Sequence, residues 1–261
     1  MSNQAPVEPV DAATVILVRE PSDPSQVWEC FMVRRHVRSD FAADVFVFPG
    51  GKVDAADRDP ALLEVLATND GGQRGNAGGT AWLGPRVAAL RELFEEAGVI
   101  LARETADGDG AALSEAARAH ARSNLQSGHL TMLQVAREFG WCLDIVQLHA
   151  FSRWITPDTL PRRYDTHFFV TRLPADQEPL HDAIETTDSL WISPADALRR
   201  AERGDFPLVF ATAKHLERMA RYSSVDELIT GTTPADLEVV MPRIIERDGT
   251  TVFLLPGDED Y

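Results

Sequence analysis

Basic residues are scarce in this chain: 25 lysines and arginines stand against 41 aspartates and glutamates, for a formal net charge of −16. Such a surface repels nucleic-acid phosphates and anionic lipid headgroups, which excludes binding either as the main task. No apolar run approaches the roughly 20 residues that cross a bilayer. Cysteine is nearly absent. Cys30 and Cys142 are too few for a disulfide framework and read as packing residues in a reducing compartment. Met1 to Pro9 has neither the basic start nor the apolar core of a secretory signal, so the expected location is the cytoplasm. There is no H-E-x-x-H and no Walker-type phosphate loop, and none of the seven histidines has metal-ligand spacing. Zinc proteolysis and ATPase chemistry therefore have no support.

What is present is an ordinary globular composition, 44% apolar over 261 residues, enough for one domain spanning 1–261. Branched and aromatic runs predict strands over Ala12–Arg19, Val27–Arg34, Val45–Phe48, Asp144–Trp154, Tyr164–Thr171 and Asp188–Ile192, with a turn around Pro21 to Pro24. Helical patterns cover Val87–Ala97, stopped by Gly98, and Pro194–Gly204 and Leu208–Tyr222. Alanine-rich patterns over Ala111–Gln126 and Thr131–Phe139 predict a helical insert at about 111–140. Asn69–Thr80 is glycine-rich and poor in packing residues. Val239–Leu255 reads as a hairpin turning at Asp248-Gly249. Strands and helices in this order predict an α+β fold, an α/β/α sandwich.

Two segments carry chemistry, Phe48–Asp57 (FPGGKVDAAD) and Ala88–Val99 (AALRELFEEAGV). On a helix, Glu92, Glu95 and Glu96 occupy i, i+3 and i+4, so all three carboxylates leave one face. Nearby on that face, Arg91 alone could neutralise them. Crowded hard oxygens of this kind suit Mg²⁺ or Mn²⁺. An isolated E-x-x-E-E is more often a solvated acidic face. The preceding Gly50-Gly51 changes the balance, because two glycines allow a turn and the approach of main-chain groups to a metal or phosphate.

These residues resemble the Nudix box. The family pattern is Gly, five residues, Glu, seven residues, Arg-Glu, an aliphatic, any residue, Glu-Glu, any residue, Gly, an aliphatic. Gly51 to Asp57 fits the first part, with Asp57 in place of Glu, and Arg91 to Val99 fits the second part. The gap between them is about 26 residues longer than the pattern, filling an insert at about 58–85. Each doubling of loop length costs only ~0.6 kcal/mol, so the halves can still meet. The resemblance implies a Nudix fold, a mixed sheet between helices. It implies that the Gly50 carbonyl, Glu95 and Glu96 are ligands of Mg²⁺ or Mn²⁺. Glu92 would be a further ligand or a proton acceptor, and Arg91 would orient the glutamates. A later acidic residue six positions before a tryptophan often completes the set, and Glu185 stands so before Trp191.

The implied reaction is hydrolysis of a nucleoside-diphosphate-X compound, a small-molecule substrate. The long insert, the run FPGGKVDAAD, Phe151–Phe169 and the tail Leu254–Asp258 are similar to one branch, the acyl-CoA diphosphatases, some of them peroxisomal. This chain ends Asp260-Tyr261 rather than in a Ser-Lys-Leu signal, which keeps the expectation cytoplasmic. Coenzyme A carries a further phosphate, so basic contacts are needed. Arg34, Arg35 and Arg38 near His36, and Arg162 with Arg163, are the candidates, with Trp154, Tyr164 or Phe168 to stack on adenine. ADP-ribose, NADH or another dinucleotide is the alternative substrate, a non-catalytic Nudix-fold module the alternative class, and a structural protein with an incidental acidic helix a distant third. Many family members are dimers, so a homodimer is an open expectation.

Overall fold

The computed structural model describes residues 6–21, 27–35, 44–67, 82–104, 114–180, 186–232, 237, 239–247 and 249–261. Its centre is β1 (Val10–Arg19), whose branched residues are buried on both faces. Ala13, Val15 and Leu17 join one core cluster, and Ile16 and Val18 join another. Burial on both sides is what a central strand requires. Along one edge, β8 (Tyr164–Arg172) pairs in parallel over nine residues. The other edge is shared. β2 (Glu29–Arg35) takes its C-terminal end at Val18 and Arg19, and β4 (Gly50–Lys52) takes Ala12 to Thr14.

Beyond Cys30, β2 leaves β1 and pairs with β3 (Phe46–Val47), while its outer edge carries β9 (Thr186–Ile192). The sheet thus forks, and Phe48-Pro49 crosses the fork, held by Val15 N–H donating to Pro49 O at 2.8 Å. β7 (His149–Ile155) pairs antiparallel with β8, and β10 (Val239–Val240) lies parallel to β7. The result is a mixed eight-stranded sheet among the described residues.

Helices cover both faces, as the fold class expected from the sequence requires. On one lie α1 (Leu83–Ala97), α2 (Glu115–Gln126) and α3 (Met132–Glu138), with a two-stranded ribbon of β5 (Ala102–Glu104) and β6 (Trp141–Leu143). On the other lie α4 (Pro194–Glu202), α5 (Phe210–Met219) and α6 (Val225–Thr230). β11 (Arg243–Arg247) and β12 (Thr250–Leu254) make a separate hairpin. No described helix is long and apolar enough to cross a membrane.

Several boundaries differ from the sequence pattern for identifiable reasons. α1 starts at Leu83 rather than Val87, because Pro85 lies in the first turn, where it has no helical partner to lose. Asp144–Gln147 is not strand. Asp144 is fully buried and accepts bonds from Arg103 and Gln147, and a short 3₁₀ turn follows at Ile145–Gln147. Val239-Val240 belongs to the main sheet, not to the hairpin. Gly50-Gly51 is extended strand and not a turn. Part of the insert also enters the core: Pro60–Val65 is a 3₁₀ helix that buries Leu62, followed by buried Leu66. The turn at Pro24, the run Asn69–Thr80 and Asp248 lie outside the described residues.

α1 is the buried element on which the site is built. Twelve of its fifteen residues are buried, and the three that are not are Glu92, Glu95 and Glu96. Leu93→Ala should therefore cost about 2–5 kcal/mol. Urea unfolding would show it as a lowered midpoint with an unchanged slope; an unmoved midpoint would mean that α1 is not seated in this way.

Candidate active site

Arg91 organises the site. Its side chain is 10% exposed, and its guanidinium is shared among groups from three elements. Nε and Nη2 donate to Asp57 at 3.1 and 3.0 Å, and Nη2 also donates to Lys52 O at 2.8 Å. Nη1 donates to Glu92 Oε1 at 2.8 Å and to Glu95 Oε2 at 2.7 Å. Asp57 is buried in a 3₁₀ turn (Ala55–Arg58), where its carboxylate also accepts the Asp54 N–H at 2.9 Å. The shorter acid at the family's first Glu position thus anchors Arg91 from inside the fold. Burial pushes the Asp57 and Glu95 carboxyls above their usual range, against the pull of Arg91. Burial also works against the Arg91 charge, but the surrounding carboxylates outweigh it and hold the guanidinium protonated.

The two glycines are required by proximity. A Cβ on Gly51 would stand 2.3 Å from Glu92 Oε1, and one on Gly50 would stand 2.5 Å from Ala13 O. The Gly50 N–H donates to Glu96 Oε2 at 3.0 Å. So Glu92 lies against Gly51, Glu96 on the Gly50 amide and Glu95 on Arg91. Among the described residues no three acidic, histidine or cysteine side chains already converge to ion-binding distance. The donor chemistry nevertheless fits a hard divalent cation: carboxylates 13% and 19% exposed at Glu92 and Glu95, beside two glycines that leave room for them.

On the sheet face away from α1, a cavity of about 390 Å³ reaches the same glycines. Its walls are largely apolar, with Trp154, Tyr164, Phe168 and Phe210 among them, and Arg35 and Lys52 supply cations. His215 braces the wall from behind, its ring stacked on Phe168 at 3.9 Å. Its Nδ1 lies 2.6 Å from Ala211 O, which can only accept, so Nδ1 carries the proton and Nε2 accepts from Ser152 Oγ at 2.6 Å. The ring is neutral and fully enclosed.

The structure brings Arg91, Glu92, Glu95, Glu96 and Gly50 together and places Arg35, Trp154, Tyr164 and Phe168 at the cavity. It places the other candidates differently. Arg34 is not part of the cavity wall: it pairs with Asp44 at 2.8 Å and lies over Phe46. Arg163 is buried and donates to Thr156 O and Val7 O, which makes it a staple between segments. Arg162 is exposed and is not part of the cavity wall. Glu185, His36 and Arg38 lie outside the described residues. Lys52, Phe210 and Phe253 line the cavity without having been singled out. Lys52 follows Gly51 directly and could have been found from the box, whereas nothing local marks the two phenylalanines.

Comparison with known proteins bears on the family and the fold. The family model described as NUDT19 Nudix domain matches residues 80–219. The acyl-coenzyme A diphosphatase NUDT19 of Homo sapiens is 28% identical over 275 residues, covering 91% of this chain and 73% of that protein. Its counterpart in Gallus gallus is 29% identical over 301 residues, covering 96% and 79%. Among solved structures, a NUDIX hydrolase from Alicyclobacillus acidocaldarius is 25% identical with a TM-score of 0.66, over 85% of this chain and 96% of that one.

Enclosure of His215 has a consequence in solution. Burial lowers its pKa from 6.5 to about 4, so as pH falls the unfolded chain takes up the proton first. The stability that the neutral ring contributes is full above about pH 6.5 and is lost progressively down to about pH 4. Between pH 7 and pH 5 the native chain should lose about 2 kcal/mol relative to His215→Gln. Urea unfolding of both proteins at the two pH values measures this; an unchanged difference would mean that His215 is solvated or already charged.

Proposed function

This chain belongs to the Nudix hydrolase family through the NUDT19-type domain over residues 80–219 and is a pyrophosphohydrolase, and we propose that it cleaves the diphosphate of coenzyme A or its thioesters. Water adds across the P–O–P bond. The products are 3′,5′-ADP and 4′-phosphopantetheine, the latter still acylated when the substrate is a thioester. The observation that carries the reading is the two-sided use of β4. Of the three glutamates of α1 that are not buried, Glu92 and Glu96 lie against Gly50-Gly51 on one face with Glu95 beside them on Arg91, and an apolar-walled cavity with Arg35 and Lys52 reaches the same glycines on the other.

Glu92, Glu95 and Glu96, with the Gly50 carbonyl, would hold Mg²⁺ or Mn²⁺. When bound, the cation supplies the positive charge that neutralises diphosphate oxygens and acidifies water. The chain's own groups do the rest. Arg91 fixes the approach of Glu92 and Glu95. Arg35 and Lys52 offer positive charge to phosphate oxygens at the cavity of a chain whose net charge is −16. Trp154 and Phe168 give flat apolar faces to adenine or to the pantetheine arm. Glu92 or Glu185 accepts the proton from water as its oxygen bonds to one phosphorus and the bridging P–O bond breaks, the electron pair leaving with the other phosphate, so no covalent enzyme intermediate forms. Cys30 and Cys142, neither of them in a disulfide, suit a reducing cytoplasm.

Incubation of the purified protein with Mg²⁺ and a panel of coenzyme A, acyl-coenzyme A, ADP-ribose and NADH tests the substrate. The expected product is 3′,5′-ADP from the first two; AMP from ADP-ribose with no 3′,5′-ADP would overturn the assignment. Glu95→Gln should lower kcat about 100-fold or more while the circular dichroism spectrum is retained. Full activity in that variant would remove Glu95 from the site. Trp154→Ala should raise KM several-fold with kcat nearly kept, since it removes binding common to ground and transition states.

A further inference from the structure

The C-terminal turn of α1 is an unfavourable place for two glutamates. A helix ends in carbonyls without intrahelical partners and in the negative pole of its dipole, so acids there repel the turn that carries them. Glu95 and Glu96 occupy that turn, and α1 has no basic residue in it.

The missing positive charge arrives from α2. Arg122 donates to Glu95 O from Nε at 3.0 Å and from Nη2 at 2.8 Å, and to Glu96 O from Nη2 at 3.0 Å. Gln126, one turn further along α2, donates to Glu95 O at 2.7 Å. Arg122 Nη2 also reaches Leu180 O at 3.0 Å, and the Leu180 N–H returns to Ala97 O at 2.9 Å. Gly98 makes the approach possible. Its φ of 69° turns the chain out of the helix, and a Cβ there would stand 2.9 Å from Arg122 Nη1.

We propose that Arg122 is a positioning residue for cation binding, clamping the backbone of Glu95 and Glu96 so that their carboxylates keep a fixed place beside Gly50. The proposal rests on the reading that these glutamates hold the cation. It gives the helical insert a part in the chemistry: the clamp acts at the peptide carbonyls of the two proposed ligands. Lysine at 122 would keep the charge but could not span the carbonyls of Glu95, Glu96 and Leu180 at once.

The test uses the full chain with Mn²⁺ as the probe and no substrate, comparing the native protein, Arg122→Lys and Gln126→Ala. Mn²⁺ affinity is measured by electron paramagnetic resonance, with kcat and KM on coenzyme A and thermal unfolding in parallel. Arg122→Lys is expected to bind Mn²⁺ about tenfold more weakly, with kcat reduced, KM nearly constant and activity regained at high Mn²⁺. Gln126→Ala, which leaves Arg122 in place, should show the same pattern at two- to threefold, and it decides the matter if the lysine variant does not fold. Native Mn²⁺ affinity in a folded Arg122→Lys, or lowered stability with unaltered affinity, overturns the clamp alone. A native chain that takes up no Mn²⁺ overturns the cation reading and the clamp together.

Discussion

The buried Arg91 guanidinium is the interaction on which the rest depends. A cation this far from water is costly unless every donor is met, and here Asp57, Glu92, Glu95 and the Lys52 carbonyl meet them. The four partners come from a strand, a 3₁₀ turn and a helix. The contact therefore joins the two halves of the box through space, independently of the chain between them. That is why an insert about 26 residues beyond the family spacing leaves the site assembled. Nor is the insert inert filler, since Leu62 and Leu66 are buried in the same cluster as α1.

The fork in the sheet puts the same few residues in two roles. Where β2 leaves β1, β4 takes the vacant edge, and its glycines present bare backbone on both faces. Glu92 and Glu96 rest against one face, and the cavity opens on the other. An acidic cluster and an apolar-walled cavity with two cations are thereby brought within one strand of each other.

α1 itself has little freedom. Its sides are enclosed, its first turn contains Pro85, and its last turn is met by Gly98, Arg122 and Gln126. Rigidity at both ends makes the projection of three glutamates a property of the whole domain. The supporting groups lie far apart in sequence, which is the usual way in which a site acquires precision beyond that of its own segment.

The sequence by itself determined the elements whose signal is local. The strand-forming run of β1, the helix ending at Gly98 and the one-face spacing of Glu92, Glu95 and Glu96 were legible because propensity and periodicity act over a few residues, and the resemblance to the Nudix box was legible in residue identities alone. It did not determine which arginine faces the cavity. Arg34 and Arg35 are adjacent and alike, yet only Arg35 lies in the cavity wall, because Arg34 is taken up by Asp44 and Phe46 and the strand bulges between the two arginines. Nor did it reveal that Gly50-Gly51 is strand kept bare by Glu92, that Asp57 is the buried anchor of Arg91, or that Arg122 reaches the end of α1. Each of those depends on a partner more than twenty residues away, and only the folded chain decides which distant atoms come within hydrogen-bond reach.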